Sequence, residues 1–182
     1  GIQSSLETMA KCLEALNKES STPIELVLQV GQKPDWINKY ICVIHRGFVP
    51  YEELPNRFSE ADILFLPYDF SPSANAFIKY SMPTKASEYM ICGTPVLIFA
   101  PEDTALVAYA KAHEWAQVVT KNEVHALSHG LLELINKKSL REAISKAAIR
   151  IAEERHDATK VRKRFRDELS KLVNQENQLK LS

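Results

Sequence analysis

Cysteine is scarce. The three residues, Cys12, Cys42 and Cys92, lie far apart with no CxxC spacing. An odd, scattered set excludes a disulfide framework and a zinc site, and leaves small buried thiols in a reducing cytoplasm as the reading. An excess of either charge is also lacking, since 23 Lys and Arg meet 23 Asp and Glu. That balance argues against a nucleic-acid or anionic-membrane partner, both of which favour a basic surplus. No apolar run approaches the ~18 residues that span a bilayer. The opening GIQSSLETMAKCLEAL has no basic segment followed by an apolar block, so no signal peptide is expected. GxSxG, HExxH, a Walker loop and GxGxxG are all missing, and no nucleophile–base arrangement stands out. There is no internal repeat and no low-complexity linker.

What is present is an ordinary globular composition, 45% hydrophobic and 25% charged, in a chain of 182 residues. That length suits one domain, 1–182, with a polar tail from about Gln175. Leu6, Met9, Ala10, Leu13 and Leu16 recur at helical spacing, so 4–18 reads as an amphipathic helix. Apolar runs at 24–30, 40–45, 62–67, 95–99 and 115–119 read as strands. Between them lie a helical turn near 35–39, a short Pro-led helix at 50–58, and helices at 83–92 and 104–113. Residues 68–82 read as a long irregular loop holding four aromatics, a length that is usually functional or disordered. Three helices close the chain. The first covers 123–136. The second is opened by the capping-box sequence Ser139-Leu-Arg-Glu142. The third is capped by Asp157 and carries Val161, Phe165, Leu169 and Leu172. Strands alternating with helices, with continuous apolar runs in the strands, predict a parallel sheet covered on both faces: a three-layer, Rossmann-like α/β fold.

In such sheets ligands bind beyond the carboxyl ends of the strands. Here those ends are Gly31, Arg46 to Val49, Pro67 to Met82, and Phe99 to Asp103. The loop after the third strand runs into the helix starting near Pro83. A helix start offers unpaired N–H groups and the positive end of a dipole, which suits phosphate. Lys85 adds a cation, and Ser81 and Thr84 add hydroxyls. Glu88, one turn further in, suits the hydroxyls of a sugar. The bland alternative is a helix capped by Thr84 with Lys85 and Glu88 as a surface pair, worth a few tenths of a kcal/mol. Elsewhere, His125 and His129 share a helix face without a third ligand near in sequence, so no metal is expected. His45 ends a strand as a structural or a nucleotide-contacting group. Tyr68, Phe70 and Phe77 are loop anchors or a sugar platform. The basic run 160–166 reads as the solvated face of a packed helix.

The segment Pro83-x-Lys85-x-x-Glu88-Tyr89-Met90-x-x-Gly93-x-Pro95-Val96 resembles the nucleotide-sugar signature of the large retaining glycosyltransferase family ("glycosyl transferases group 1") with the two-domain B-type fold. Gly47-Phe48-Val49-Pro50-x-x-Glu53-Leu54 and Ala61-Asp62-Ile63-Leu64-x-Leu66-Pro67 resemble the segments preceding it. The resemblance implies the C-terminal domain of such an enzyme, binding a nucleotide-diphosphate sugar for transfer to an acceptor glycan or lipid, with no metal or other cofactor. It places Glu88 on the ribose. It sets Met82, Pro83, Thr84 and Lys85 toward the diphosphate and donor sugar, with Ser81 beside them. Phe48 and Val49 lie against the base, and Gly93 makes the helix-to-strand turn. It implies a cytoplasmic location, or the inner face of a membrane through the full-length enzyme. Nothing in the sequence speaks to oligomeric state.

Three departures accompany the resemblance. The family carries a second acid eight residues before the one matched by Glu88; Tyr80 stands there, and no acid lies between Asp69 and Glu88. The family's first strand and basic loop are missing, as is its N-terminal acceptor domain. The chain therefore looks like a fragment that does not complete the reaction alone. The alternative is a non-catalytic interaction module that kept the fold. In the family the missing strand is central, in the order 3-2-1-4-5-6. Its absence leaves either direct pairing of the strands ending at Val30 and Pro67, or a gap.

Overall fold

The computed structural model describes residues 2–180, with side chains through residue 172. Helix α1 (Gln3–Asn17) buries Leu6, Met9, Ala10 and Leu13, the face that helical spacing predicts. The Asn17 amide ends the excursion by bonding Ile24 in both directions, Nδ2 donating to its carbonyl at 2.9 Å and Oδ1 accepting from its N–H at 2.8 Å. The chain then enters β1 (Leu26–Gln29), a 3₁₀ turn (Asp35–Lys39) and β2 (Val43–Arg46). A 3₁₀ turn (Tyr51–Glu53) leads into α2 (Leu54–Ser59), whose first turn accommodates Pro55 where no N–H is needed. Then follow β3 (Leu64–Pro67), α3 (Pro72–Ile78), α4 (Thr84–Cys92), β4 (Val96–Phe99), α5 (Ala105–His113) and β5 (Gln117–Val119). The chain closes with α6 (Val124–Asn136), α7 (Lys138–Ile151), a π turn (Ala152–His156) and α8 (Ala158–Lys180).

All ladders are parallel, with helices on both faces, as the strand–helix alternation predicts. On one side α1 and α6 pack on Leu26, Leu28, Leu97 and Phe99. On the other, α4, α5 and α7 pack on Leu64, Leu66, Val96 and Ile98. Along β3 and β4 the side chains alternate between these two cores, and all four residues of β4 are buried between its neighbours β3 and β5.

The strands form two sheets, β1-β2 and β3-β4-β5. β1 and β3 do not pair with each other. The N–H groups of Leu26 and Val30 bond to β2, at Cys42 O (2.8 Å) and Arg46 O (3.1 Å). Backbone direction alternates, so the N–H and C=O of Val27 and Gln29 point off the opposite, free edge. On β3 the N–H groups of Leu64 and Tyr68 bond to Pro95 O and Phe99 O, so those of Phe65 point off its free edge. Helix α1 ties the two sheets together. Its apolar face joins both in one core, and Ser5 Oγ donates to Tyr68 O at 2.6 Å.

Four expectations need correction. The segment 68–82 is not an irregular loop but contains α3. The Ser71 hydroxyl accepts from Ala74 N, Pro72 occupies the first helical position, and Asp69 Oδ1 accepts from Ser71 N at 2.8 Å. Thr84 does not cap α4: it is the first helical residue, preceded by Pro83. Ser139 does not cap α7, which starts at Lys138 after the single hinge residue Lys137. Arg141 reaches back instead, its Nη1 donating to Leu134 O and Ile135 O and satisfying the last carbonyls of α6. Finally, α8 is not packed along its described side chains. Asp157 does cap it, Oδ1 accepting from Lys160 N at 2.8 Å. The π turn, however, steers the chain off the body: Ile151 and Ala152 are buried, while residues 158–172 are all exposed, Phe165 at 65%. The polar tail expected from Gln175 lies outside the described side chains.

Candidate functional site

The carboxyl ends of β3 and β4 hold the predicted segment in a defined place. The Tyr68 ring is buried at the end of β3, and its hydroxyl donates to Ser81 O at 3.1 Å. Ser81 N donates back to Ile78 O at 3.0 Å. The chain then passes through Met82 and the extended residue Pro83 into α4. Pro83 has no N–H, and its carbonyl accepts from Ala86 N at 3.0 Å, so the N–H groups of Thr84 and Lys85 are the orphan donors of this helix. No side chain caps them. Ser81, Met82, Thr84 and Lys85 are exposed; Pro83 and Glu88 are half-buried.

Lys85 and Glu88 do not pair with each other, nor with any other charged group among the described residues. This removes the surface-pair alternative in the form the spacing suggested. The backbone of Glu88 is occupied, since its carbonyl accepts from Cys92 Sγ at 3.0 Å. Beside it the Tyr89 ring packs edge-on against Phe58, with centroids 5.0 Å apart. Burial, followed by the Glu88 charge, pushes the Tyr89 phenol up to about 12. Gly93 ends the helix with φ +75°, the left-handed turn into β4 that the sequence predicts there.

Helix α3 was not foreseen, nor was the way it is fastened. Asp103, at the turn between β4 and α5, accepts from Asn75 Nδ2 at 3.1 Å and pairs with Lys79 Nζ at 3.1 Å. Ala105 N donates to Lys79 O at 2.7 Å. The hydrogen bond from Asn75 and the pairing with Lys79 hold the Asp103 carboxyl below its ordinary range, and the Lys79 ammonium is raised in turn. Asn75 and Asp103 are 28 residues apart in sequence, so no local spacing announces the pair. Of the loop aromatics, Tyr68 and Phe70 are anchors: Tyr68 is buried, and Phe70 lies 4.6 Å from the Phe99 ring. Phe77 is not an anchor, being 86% exposed, as is Tyr80.

Phe48 and Val49 follow β2, in the other sheet. The Phe48 ring lies over Gly31 at the end of β1 and is otherwise exposed; Val49 is half-buried. No hydrogen bond or ring contact among the described residues joins this pair to the Ser81–Glu88 segment. His45 is structural here, with Nε2 at 2.8 Å from Val30 O, holding the ends of β1 and β2 together. His125 and His129 are exposed, and His129 lies 3.9 Å from Glu133. Among the described residues no group of three side chains could hold a metal, and no helix is long and apolar enough to cross a membrane. Cys12 and Cys42 are buried free thiols, Cys12 Sγ lying 3.1 Å from Ser128 Oγ and Cys42 Sγ donating to Ala10 O.

The sequence matches the family described as "Glycosyl transferases group 1" over residues 36–151. That range contains both β2 with Phe48 and the whole of α3 and α4. No curated protein matches the chain. Among solved structures, WaaG, a glycosyltransferase involved in lipopolysaccharide biosynthesis, is similar with a TM-score of 0.58 at 18% identity, over 84% of this chain and 39% of that one. At that identity the likeness concerns the fold alone. The chain spans well under half the length of that protein.

Proposed function

The chain belongs to the glycosyl transferases group 1 family, and from that premise we propose that it is the donor half of a glycosyltransferase. It binds a nucleotide-diphosphate sugar for transfer to an acceptor glycan or lipid. The observation that carries this reading is the start of α4. Two orphan N–H groups, an unpaired Lys85 and an unpaired, half-buried Glu88 stand within one turn of each other. Neither charge is taken up by the other, so both are open to a ligand that needs both. The N–H groups and Lys85 take the diphosphate and stabilise it as it leaves, an electrostatic role. Glu88 accepts from the ribose hydroxyls, and the base lies toward Phe48 and Val49. The reaction needs a second domain facing this one, so the chain alone binds without turnover. Nucleotide sugars place it in the cytoplasm, with membrane proximity supplied by the rest of the enzyme.

Calorimetric titration of the chain with UDP, GDP, ADP and CDP tests this directly. One of them binds, and Glu88→Ala weakens it by roughly ten- to a hundredfold, corresponding to a charge-assisted hydrogen bond of about 1.5–3 kcal/mol. Lys85→Ala lowers affinity and flattens its salt dependence. Binding by none of the four, or unchanged binding in Glu88→Ala, overturns the assignment.

A second reading, a non-catalytic interaction module, has its own observation. The apolar stripe of α8 (Val161, Phe165, Leu169) is uncovered, the surface a docking partner would bury. The same titration separates the two readings, since a module that lost the chemistry has no reason to keep nucleotide affinity dependent on Glu88.

A further inference from the structure

No side chain caps α4, and an uncapped helix end frays. A cap would order the start, but only by taking up N–H groups that a ligand needs. Order therefore has to come from the chain ahead of the helix, which the structure holds at successive points. Ala105 N donates to Lys79 O at 2.7 Å, Ser81 N to Ile78 O at 3.0 Å, and Tyr68 Oη to Ser81 O at 3.1 Å. Beyond these, Met82 makes no hydrogen bond among the described residues, and Pro83 has no N–H to give. The bond from Tyr68 is thus the last tie before the orphan donors of Thr84 and Lys85, with only Met82 and Pro83 between.

We propose that Tyr68 is a positioning residue of the donor site: its hydroxyl holds the Ser81 carbonyl and so orders the entry to α4 while leaving the helix N–H groups open. The inference rests on the donor-site reading above. Tyr68 suits that task because it is itself immobile. Its ring is 7% exposed and belongs to the same core as Ala86 and Met90 of α4. Its N–H donates to Phe99 O at 2.8 Å, and its carbonyl accepts from Ser5 Oγ at 2.6 Å. Segments far apart in sequence, the start of α1, the end of β4 and the entry to α4, therefore meet on one residue. The hydroxyl has no other hydrogen-bond partner among the described residues. A phenyl ring would fill the same space with no polar group to satisfy. What the hydroxyl adds is a fixed Ser81 carbonyl. A ligand that bonds the Thr84 and Lys85 N–H groups then finds them ordered. With Ser81 O released, the ordering of Met82 and Pro83 falls on the binding step instead.

The test uses the whole chain at a temperature where every variant is folded, with two probes. Inorganic pyrophosphate reports the N–H groups and Lys85 alone; whichever of UDP, GDP, ADP and CDP binds reports the whole site. Tyr68→Phe keeps the ring and removes the hydroxyl. It weakens both probes by the same factor, about three- to tenfold, the size of ordering a short backbone segment. Glu88→Ala, by contrast, weakens the nucleotide and does not weaken pyrophosphate. Gly130→Ala, which crowds Val119 where α6 meets β5, leaves both affinities unchanged, so lost stability alone does not imitate the effect. Proton–nitrogen correlation spectra without ligand read the positioning directly. In Tyr68→Phe the amide signals of Met82, Thr84 and Lys85 shift or broaden, while those of Met90 and Ile91, further along α4, stay in place. Equal affinities in the parent and Tyr68→Phe overturn the positioning role and leave the donor site standing. A loss confined to the nucleotide, or unmoved Thr84 and Lys85 signals, overturns it as well. If neither pyrophosphate nor any nucleotide binds, the donor site and the role of Tyr68 in it fall together.

Discussion

Replacing Gly130 by alanine sets two effects of opposite sign against each other. Gly130 is in the middle of α6, where alanine is normally better by about 1 kcal/mol. A Cβ there, however, would sit 2.4 Å from Val119 Cγ2 on β5. Ordinary carbon contacts are ~3.5–4.0 Å, so the overlap exceeds about 1 Å. Val119 cannot yield cheaply. It is 7% exposed, β-branched and fixed in the ladder opposite Phe99. Either its rotamer changes or α6 lifts off β5, and overpacking of this kind costs roughly 1–3 kcal/mol. The clash therefore outweighs the propensity gain, and Gly130→Ala is destabilised by up to about 2 kcal/mol. At ~2–4 °C per kcal/mol for a chain of this size, the midpoint falls by several degrees. Urea denaturation followed by circular dichroism measures it. The double variant with Val119→Ala is the decisive arm. Alone, Val119→Ala leaves a cavity; with Gly130→Ala the new methyl enters that space, so the double loss is smaller than the sum by about 1 kcal/mol or more. A Gly130→Ala protein more stable than the parent, or strict additivity in the double variant, refutes the close α6–β5 approach.

Other expected outcomes follow from equally local features. Gly93→Ala places a Cβ in a residue at φ +75° and within 3.2 Å of Ile149 Cδ1, and loses about 1–2 kcal/mol; Gly93→Asn, which tolerates the left-handed region, loses less, as chemical denaturation would show. Ser5→Ala removes the donor to Tyr68 O. The next ladder position on β4 is Pro101, which has no N–H, so that buried carbonyl is left alone at a cost of about 1–3 kcal/mol in the same assay. His156, bonded to Tyr109 Oη at 3.0 Å, has its pKa lowered by burial and then by Arg155. Its unfolded state binds the proton more readily, so stability falls as pH drops from the ordinary histidine range toward the folded value. Thermal midpoints between pH 7.5 and 5.5 should show this loss, and a slope unchanged by His156→Phe would contradict it.

The order of helices and strands is legible in the sequence because each depends on neighbours within a turn or two. Leu6-Met9-Leu13, the apolar run at 96–99, Gly93 after α4 and Asp157 before α8 all sit where their patterns indicate. What depends on partners far along the chain is not legible. Helix α3 is only seven residues long, and its hold on Asp103 crosses 28 residues. The stripe of α8 has the right periodicity, but periodicity states only that one face is apolar, not that anything covers it. The split between β1 and β3 turns on which backbone groups find a ladder partner, and side-chain pattern carries no record of that. The Ser5–Tyr68 bond is an intermediate case: Pro101 announces a missing donor, while the residue that replaces it comes from the other end of the chain.

The candidate site divides along the same line. The residues from Ser81 to Glu88 are contiguous, so their positions at the head of α4 are readable; whether Lys85 and Glu88 neutralise each other is not, because both outcomes share one spacing. That distinction decides how the binding experiment is read. Two unpaired side chains, one exposed and one half-buried, contribute little to folding, so Glu88→Ala and Lys85→Ala should each move stability by less than about 0.5 kcal/mol. An unchanged denaturation midpoint together with a tenfold or greater loss of nucleotide affinity locates the effect in a direct contact. A parallel fall in both would mean that Glu88 supports the helix, and the affinity loss would then say nothing about the ribose.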